Sequence, residues 1–508
     1  MTNSALLYSV DAIRQIEQTA QAQLAPYTLM QNAGAAAAQL ALQLINRPDH
    51  CGRVLILAGP GNNGGDALET GLRLDLVGIE ISIVFIGNAD ALPNDARHAW
   101  QRVQGSRLVF IDPADHDAIE QGNWDLVIDG LFGIGLQRAI DGIAYELISL
   151  VNTLPCTILA LDVPSGLDAD HGCVVGGNNG IAIAATHTLT FIADKPGLHT
   201  ADGRDYAGEV QVANLGIEND SFPSSSSIQL SQIALFANAL HARKQNSHKG
   251  NFGKVFIIGG AHGMIGAAIL ASRTALKCGA GRVYLASLDP DFSCDVEQPE
   301  LMCRQPQDIE ADDTTLVVGP GLGISREAHD LVALAITSKA PLVLDADALN
   351  LLAAEPGLQH KLTNRDAPTL LTPHPLEAAR LLGISSAQVQ VDRLRSATTI
   401  AKKFNAVVIL KGSGTVIAKP DGNIAINPTG NPALATAGVG DVLSGLCGAL
   451  LAQKWPLWEA ATGAVWLHGK AADEMVANGI GPIGITASEL IPYIRQTLNQ
   501  LARRQAAA

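Results

Sequence analysis

Two aspartates stand where a parallel sheet would bring them together, each directly after an apolar run. Asp129 precedes the glycine-rich segment GLFGIGL (130–136), and Asp162 follows TILAL and precedes VPSG. An aspartate at the end of a strand can bind a cation, act as an acid or base, or cap the next helix. Capping is the weaker alternative for Asp129, because a glycine loop rather than a helix follows it.

A third loop of this kind, GPGNNGGD (59–66), follows the strand predicted at Arg53–Ala58 and precedes a helix expected to begin near Ala67. Glycines let a backbone bring several N–H groups towards one point, and a helix N-terminus adds positive partial charge. The loop therefore suits a phosphate group. A tight turn without a ligand explains the glycines equally well, and Asp66 could simply cap the helix.

The second half has an acidic residue at a glycine-rich helix start, Asp441 in NPALATAGVGD (431–441). Two glycines would let N–H groups face outwards at the helix N-terminus and hold phosphoryl oxygens. Asp441 could there accept a proton from a substrate hydroxyl as its oxygen meets phosphorus. A helix cap is the alternative, but the upstream segment KGSGT (411–415) favours phosphoryl chemistry.

Other polar or glycine-rich segments follow apolar runs of the second half: GGAHGMIGAA (259–268), GPGLG (319–323), DADALN (345–350) and TPHPLE (372–377). Backbone donors of residues 411–415 would lie where a nucleotide phosphate binds. Lys411 could nevertheless be an ordinary surface lysine, and His374 a structural histidine between two prolines.

Short β-branched runs alternate with helical stretches through both halves, which predicts two parallel α/β domains with covered sheet faces. The Ser-rich segment NDSFPSSSS (219–227) indicates a linker. We assign residues 1–220 to the first domain, 221–238 to the linker and 239–508 to the second domain. Helices are expected at 10–23 and 29–45, and strands at Arg53–Ala58, 81–86, 108–111, 126–129, 157–162, 188–192, Glu209–Ala213, Lys254–Gly259, 283–286, 316–319, 342–345, Thr369–Leu371 and Val407–Leu410.

Composition narrows the class of protein. The net charge of −15 argues against binding to nucleic acid or to anionic membranes, both of which need clustered lysine and arginine. There is no basic leader and no apolar run long enough for a membrane span. We therefore expect a cytoplasmic globular enzyme or binding protein. The cysteines follow no zinc pattern and are expected to be reduced thiols: Cys51, Cys156, Cys173, Cys278, Cys294, Cys303 and Cys447.

The motifs of the first half resemble those of NAD(P)H-hydrate epimerase domains over residues 8–217. GPGNNGGD, DGLFGIGL and LDVPSGLDAD occur in the family's order, and LMQNAG (29–34) and Lys195 in FIADKPGLHT fit the same pattern. The resemblance implies a Rossmann-like three-layer domain that interconverts the R and S hydrates at nicotinamide C6. Ala67 and Gln31 depart from the family's usual glycine and glutamate, but neither departure removes a proposed catalytic group.

The same resemblance implies functional residues. Asp162 would be the acid/base, and a potassium ion would lie near Asn63, Asp129 and Ser165. The residues implied to contact the hydrate in this domain are Asn62, Asn63, Gly64, Gly65, Asp66, Gly133, Ile134, Gly135, Leu136 and Asp162.

Over residues 240–500 the chain resembles NAD(P)H-hydrate dehydratases of ribokinase-like α/β fold, through TPHPLE, LDADALN and NPALATAGVGD. The resemblance implies that ADP, with Mg²⁺, phosphorylates the C6 hydroxyl of the S hydrate. Loss of phosphate then regenerates the dihydronicotinamide ring and leaves AMP and phosphate. Asp441 would be the base. The residues implied at the nucleotide and the hydrate are Ala267, Gly321, Gly323, His374, Lys411, Gly412, Ser413, Gly414, Thr415, Gly440 and Asp441.

An epimerase joined to a dehydratase explains both halves with one substrate, and we expect a metabolite-repair enzyme that forms a homo-oligomer. Two alternatives stay open. One is a small-molecule hydroxyl kinase of ribokinase fold joined to a nucleotide-sensing domain, and accumulation of a phosphorylated alcohol would favour it. The other is a regulatory nucleotide-binding protein with degenerate sites, which retention of Asp162, Asp441 and the glycines argues against.

Overall fold

The chain forms two compact units, Met1–Ile228 and Gln229–Ala508. The computed structural model describes residues 5–45, 52–218, 221–223, 226–308 and 313–507. Cys51 and parts of the Ser-rich segment lie outside the described residues, and Cys156, Cys278, Cys294, Cys303 and Cys447 are free thiols. None of the described helices is long and apolar enough to cross a membrane.

The first unit alternates strands and helices. In chain order its elements are β1 (Leu6–Leu7), α1 (Val10–Gln21), α2 (Thr28–Ile45), β2 (Arg53–Ala58), α3 (Asn62–Asp75), β3 (Glu80–Phe85), α4 (Asn94–Gln104), β4 (Val109–Ile111), α5 (His116–Glu120), β5 (Leu126–Gly130), α6 (Gly142–Val151), β6 (Thr157–Leu161), β7 (His187–Phe191), α7 (Gly203–Tyr206) and β8 (Glu209–Ala213).

Seven parallel strands of the described first unit form one sheet in the order β4-β3-β2-β5-β6-β7-β8. The order reverses between β2 and β5, so the loops after these strands diverge and leave a crevice. Val54 and Ile56 of β2 face a core shared with α1 to α4, whereas Leu55 and Leu57 face a core shared with α5 and α6. Helices therefore cover both faces, and the predicted Rossmann-like three-layer fold is confirmed.

Strand β9 (Ile228–Leu230) lies at the boundary between the units. The elements after it are β10 (Lys254–Gly259), α8 (Ile265–Lys277), β11 (Arg282–Ser287), β12 (Met302–Arg304), β13 (Thr314–Val318), α9 (Arg326–Thr337), β14 (Leu342–Leu344), α10 (Ala346–Ala354), α11 (Pro356–Thr363), β15 (Thr369–Leu371), α12 (Pro375–Leu382), α13 (Ser386–Val391), α14 (Arg393–Phe404), β16 (Val407–Leu410), β17 (Val416–Ala418), β18 (Ile424–Ile426), α15 (Val439–Ala452), α16 (Leu457–Ala477) and α17 (Ala487–Ala507).

The second unit repeats the reversal of strand order. Strands β12-β11-β10-β13-β14-β15-β16 run parallel, and the order reverses between β10 and β13. Helices α8, α15, α16 and α17 bury one face, with Val255 and Ile257 of β10 in their core. Helices α9 to α14 pack against one another and contact β13 and β16. A second crevice thus opens at the carboxyl ends of β10 and β13.

Sequence periodicity does not predict the antiparallel hairpin of β17 and β18 that extends this sheet. Each strand has three residues, too few for an alternating pattern to stand out. Pairing with neighbouring strands decides their conformation instead, as in the register that places Ile417 opposite both Ile409 and Ala425.

The linker expected at 221–238 is shorter in the structure. The boundary between the units falls between Ile228 and Gln229. Phe236 is fully buried in the core of the second unit and stacks on Trp455, with ring centroids 6.2 Å apart. Residues after the boundary therefore pack with the second unit, because their apolar side chains find partners that composition does not reveal.

The cores around β2 and β10 each consist of side chains from one unit, so we expect the two units to fold separately. We expect fragments 1–226 and 227–508, divided so that β9 stays whole, to be soluble and to unfold cooperatively. Circular dichroism during thermal denaturation measures this, with the intact chain as the control. Aggregation of both fragments would contradict independent folding.

Candidate active site of each unit

A cavity of about 600 Å³ opens in the first unit at the carboxyl ends of its central strands. Helix α1 and the loops after β2, β5, β6 and β7 form its walls. Most of the residues predicted to contact a ligand line it together: Asn62, Asn63, Asp66, Gly133, Ile134, Gly135, Leu136 and Asp162. The predicted convergence of three polar loops is therefore present.

Helix α3 begins at Asn62 rather than near Ala67, so Asp66 lies inside the helix and does not cap it. The N-cap is Gly61, which has no side chain and leaves the N–H groups of the first turn to a ligand. Gly64 has no left-handed backbone, and its role is close packing. A Cβ on Gly64 would lie 2.0 Å from the carbonyl oxygen of Gly59.

Neither departure from the resembled pattern strains the local backbone. Ala67 is fully buried within helix α3 and its φ is not left-handed, so it restricts no turn. Gln31 is exposed on helix α2. Gly65, which does not line the cavity, packs on Met30, since a Cβ there would lie 2.5 Å from the Met30 Cε.

Asp162 is held by Lys195. Its Oδ1 accepts hydrogen bonds from Lys195 Nζ at 2.7 Å and from the Phe191 N–H at 3.2 Å. Lys195 is fully buried, and its Nζ also donates to Thr190 Oγ1 at 2.6 Å. Lys195 therefore positions Asp162 and does not itself reach the cavity. The Asp162 Oδ2 lies beside Gly133, where a Cβ would approach it to 3.6 Å.

Strained backbone marks the same wall of the cavity. Asp162 has φ 63° and the β-branched Ile192 has φ 68°, both in the left-handed region. Such conformations cost about 1–3 kcal/mol each and persist only where the surroundings enforce them. Backbone N–H groups enforce them here, from Asp162 to Leu189 O and from Ile192 to Ala213 O, both at 2.8 Å.

Asn63 lies on α3 just after β2, Asp129 lies in the adjacent strand β5, and Ser165 follows β6; all three side chains are buried. Ser165 donates to both oxygens of Asp129, from Oγ at 2.6 Å and from its N–H at 2.8 Å. Asn63 Nδ2 donates to Leu161 O at 3.1 Å, but the Asn63 Oδ1 is buried without a hydrogen-bond partner. Burial raises the pKa of Asp129 to about 6. These oxygens could hold a monovalent cation.

The cavity lining contains side chains of both charge signs. Its carboxyl groups include Glu17, Asp66 and Asp162, and its cationic side chains are Arg14 and Arg138. Burial, and then the neighbouring Asp162, raise the pKa of Asp66 well above its usual value and also raise that of Glu17. The arginines are thus the side chains in this lining suited to the phosphates of a dinucleotide.

In the second unit, hydrogen bonds join the segments that follow the parallel strands β10, β13 and β14. The Ala261 N–H donates to Gly321 O at 2.7 Å, and the Gly323 N–H donates to Asp347 Oδ2 at 2.8 Å. A Cβ on Gly321 would lie 3.2 Å from the Ala267 Cβ. The predicted residues Ala267, Gly321 and Gly323 therefore form one wall of this crevice.

Two residues before Asp347, Asp345 forms an ion pair with Lys411 beside this wall. Lys411 Nζ donates to Asp345 Oδ1 at 2.8 Å and lies 3.9 Å from Glu377 Oε2. Asp345 is 1% exposed, and its Oδ2 accepts from Ser444 Oγ at 2.6 Å. Burial raises the pKa of Glu377 to about 7. Lys411 is consequently not an ordinary surface lysine.

Helix α15 begins at this wall. Its N-cap is Gly438, with φ 86° and no side chain, so the N–H groups of the first turn are left to a ligand. A Cβ on Gly440 would lie 3.4 Å from Lys411 Nζ, which puts the ammonium group beside the helix N-terminus. Burial, and then Asp345, raise the pKa of Asp441 to about 7. A carboxyl group with that pKa suits proton transfer near neutral pH.

His374 has a structural role in the crevice. It is the N-cap of α12, and its Nδ1 accepts hydrogen bonds from the N–H groups of Leu376 and Glu377 at 3.0 and 3.3 Å. Burial and Lys411 lower the pKa of His374, so the ring is neutral at pH 7 and its Nε2 carries the proton. The imidazole is still 45% exposed, which leaves room for a ligand contact.

Sequence reasoning missed the residues that hold Lys411 in place. Asp345 directly follows an apolar strand, the same signal that identified Asp129 and Asp162, and could have been found in this way. Arg393 carries no such signal. It is 1% exposed and donates to the carbonyl oxygens of Leu410 and Lys411 at 3.2 and 3.3 Å, which fixes the turn into residues 412–415.

Comparisons with known proteins agree with this division into two sites. The family described as NAD(P)H-hydrate dehydratase matches residues 255–496, and the family described as YjeF-related protein N-terminus matches residues 26–197. A bifunctional NAD(P)H-hydrate repair enzyme of Coxiella burnetii is 36% identical, with 97% of this chain and 99% of the relative covered. The chain belongs to the family of bifunctional NAD(P)H-hydrate repair enzymes.

Other relatives include the repair enzyme of Escherichia coli, 36% identical over 93% of this chain and 90% of the relative. A solved structure of the ADP/ATP-dependent NAD(P)H-hydrate dehydratase of Bacillus subtilis is 29% identical, with 54% of this chain and 98% of that chain covered and a TM-score of 0.47. The function of this repair-enzyme family member is metabolite repair by an epimerase and a dehydratase. Family membership favours this function over the hydroxyl kinase and the regulatory protein.

The ion pair of the first unit should be essential to its stability. Lys195→Met leaves the carboxylate of Asp162, 13% exposed, without its cation, and removing one partner of a buried pair costs about 3–5 kcal/mol. Urea denaturation, followed by hydrogen exchange of residues 157–213, measures the free energy of unfolding. The double variant Lys195→Met/Asp162→Asn buries no charge and should recover part of the loss. Equal stability of the double and single variants would contradict this account.

Proposed function

We propose that the first unit inverts C6 of the NAD(P)H hydrate with Asp162 as acid/base. We propose equally that the second unit dehydrates the S hydrate at the expense of ADP, with Asp441 as base. One observation carries both assignments. Each crevice combines a helix N-terminus capped by a bare glycine, Gly61 or Gly438, with a carboxyl group beside it. The helix end suits phosphate groups, and the carboxyl group suits proton transfer.

The surroundings of Asp162 support its role. One carboxylate oxygen is committed to Lys195 and to the Phe191 N–H, while the other lies at the cavity wall beside Gly133. The free oxygen of Asp162 can therefore exchange a proton with the C6 oxygen of the hydrate. Epimerisation requires the C6–O bond to break as Asp162 gives a proton to the departing oxygen, which leaves as water while the lone pair of the ring nitrogen N1 stabilises the cation at C6. The bond forms again on the opposite face of the ring when water adds to C6 and Asp162 takes a proton back.

A potassium ion fits the oxygens of Asn63, Asp129 and Ser165. The buried Asn63 Oδ1 without a donor is the observation that supports it, because a buried carbonyl oxygen is costly unless something binds it. Hard oxygen ligands of this kind suit such a cation. When bound, the ion would supply positive charge against which ribose or phosphate oxygens of the dinucleotide rest. Asp129 would be its charged ligand.

In the second unit, the Mg²⁺ complex of ADP would be the co-substrate, and residues 411–415 and Gly440 would face its phosphates. Asp441 would take the proton of the C6 hydroxyl while that oxygen attacks the terminal phosphorus and AMP leaves. The N–H groups at the start of α15 and the ammonium of Lys411 would hold the transferred phosphoryl oxygens. Departure of phosphate and loss of a C5 proton would then restore the C5–C6 double bond. Ala267, Gly321, Gly323 and His374 would contact the hydrate.

Two further expectations from the sequence stay predictions, namely assembly into a homo-oligomer and location in the cytoplasm. The acidic net charge of −15 supports a protein that associates with neither nucleic acid nor anionic lipid.

The roles of Asp162 and Asp129 are separable by mutation. Asp162→Ala should abolish epimerisation with little loss of hydrate binding, because Asp162 transfers the proton. Asp129→Ala should weaken hydrate binding, because it removes the charged ligand of the cation. With ADP and an equal mixture of hydrates, either variant should consume the S form at the normal rate and then stall. Near-ultraviolet absorbance of the regenerated dihydronicotinamide ring measures this biphasic course.

Two controls accompany the experiment. Asp141→Ala removes an exposed carboxylate outside the cavity and should give the single-phase course of the unmodified enzyme. Fragment 227–508 alone measures how fast the hydrates epimerise spontaneously. Complete single-phase consumption by Asp162→Ala, faster than spontaneous epimerisation, would show that the acid/base is another residue.

The assignment of Asp441 as base predicts both a mutational and a pH effect. Asp441→Asn should lower dehydration about 10²-fold or more, with epimerisation unchanged. In the unmodified enzyme, kcat/KM for dehydration should rise with pH and level off above about 7, since only the ionised Asp441 accepts a proton. Asp313→Asn, at an exposed ion pair with Lys454, is the matched control. Near-normal dehydration by Asp441→Asn would refute the assignment.

A further inference from the structure

Asp345 is a buried carboxylate to which no catalytic step has been assigned. It follows β14 at the start of α10 and is 1% exposed. Both of its oxygens are occupied, Oδ1 by Lys411 Nζ at 2.8 Å and Oδ2 by Ser444 Oγ at 2.6 Å. Ser444 is itself fully buried. Ionised carboxylates are rarely buried unless they are paired and hydrogen-bonded, as this one is.

These two contacts reach the two elements on which phosphoryl transfer would depend. Ser444 lies three residues after Asp441 on α15, hence on the same face of that helix. The bond from Ser444 to Asp345 therefore fixes the rotation of the helix about its axis, and with it the direction of Asp441. Lys411, held on the other oxygen, lies beside Gly440 in the first turn of the same helix.

The charge of Asp345 also acts on Asp441. Of the charged groups that face Asp441, Asp345 and Asp347 of the β14–α10 segment and Glu377 of α12 raise its pKa, whereas Lys411 after β16 lowers it. Burial is the largest cause of the raised pKa, and Asp345 is the largest of the charges. On α16, His468 faces the first turn of α15 through Val439 O, and burial lowers its pKa to about 4, so it is neutral there.

We propose that Asp345 is a positioning residue of the dehydratase, which holds the Lys411 ammonium at the N-terminus of α15 and, through Ser444, aims Asp441 at the substrate hydroxyl. The proposal rests on the proposed role of Asp441 as base. Asp345 touches neither substrate nor nucleotide. Its effect reaches the reaction through a cation, a hydroxyl group and the electrostatic field at the base.

Three variants of the full-length enzyme test the proposal through kcat, KM and the pH at which dehydration levels off. Asp345→Asn should lower kcat about 10- to 100-fold, since small displacements of catalytic groups cost this much. It should also move the acid limb of the pH profile below its position near 7, because a negative charge beside Asp441 is gone. Lys411→Met should move the limb in the opposite direction, because it removes the charge that lowers the pKa of Asp441.

Ser444→Ala separates position from charge. It removes the hydrogen bond that orients α15 but leaves the charges in place, so kcat should fall, KM for the hydrate should change little, and the acid limb should not move. Epimerisation measured on the same sample is the internal control for all three variants. Asp313→Asn, which removes an exposed carboxylate paired with Lys454, is the matched control and should change none of these quantities.

The outcomes are decisive in each direction. An unmoved acid limb in both Asp345→Asn and Lys411→Met, or a normal kcat in Ser444→Ala, would overturn the proposal. A selective rise in the Mg²⁺ concentration needed by Asp345→Asn would make Asp345 a metal ligand and also overturn it. If Asp345→Asn does not fold, two other measurements test the proposal: the position of the acid limb of the pH profile in Lys411→Met, and the kcat of Ser444→Ala. A failure of the proposed function is distinguishable from a failure of this proposal, because it would show as normal dehydration by Asp441→Asn.

Discussion

A lysine ammonium group bound to an aspartate at the end of a parallel strand, with one of the two partners fully or almost fully buried, is the interaction on which both sites depend. In the first unit Lys195 binds Asp162 at 2.7 Å, and in the second Lys411 binds Asp345 at 2.8 Å. Desolvating two charges costs free energy that the pair recovers only with good geometry and further hydrogen bonds. Both pairs have such bonds, from the Phe191 N–H in one unit and from Ser444 in the other.

The two pairs nevertheless serve different ends. Lys195 is fully buried, so its partner Asp162 is the group that meets the cavity. In the second unit the aspartate is the buried member, and the lysine lies beside the start of α15. In the proposed mechanism the same contact presents a carboxylate for proton transfer in the first unit and an ammonium group for the phosphoryl oxygens in the second. In each pair the surrounding side chains bury one partner, and the charge of the other partner reaches the crevice.

Both crevices follow from one topological constraint. Strand order reverses between β2 and β5 and again between β10 and β13, and loops leave such a point in opposite directions. Helix α3 starts at the first of these points, and helix α15 of the second unit starts beside Lys411, so each can present its N-terminus to a ligand. Glycine makes this possible in two distinct ways. Gly438 adopts a left-handed φ of 86° as a helix cap, whereas Gly64 is helical and allows the backbone of α3 to lie against Gly59.

The sequence by itself determined the α/β class, the parallel strands and most of the residues that line each crevice. Strands predicted from apolar runs are present within two residues at each end, because burial of both sheet faces leaves a continuous hydrophobic signal. Asp162 and Asp129 were identified for a related reason, since a polar residue directly after such a run must lie at the sheet edge, whereas Asp441 was identified from the glycine-rich helix start that precedes it. The family resemblance added the chemistry, and relatives covering nearly the whole chain confirm it.

Only the tertiary structure decided which charges meet. Asp345 and Lys411 are 66 residues apart, and Asp345 and Ser444 are 99 apart, so no local pattern links them. The start of α3 at Asn62, the burial of Phe236 and the three-residue strands of the β17–β18 hairpin were missed for the same reason. Each is set by packing against distant segments, and the free energy of such packing is absent from the local sequence.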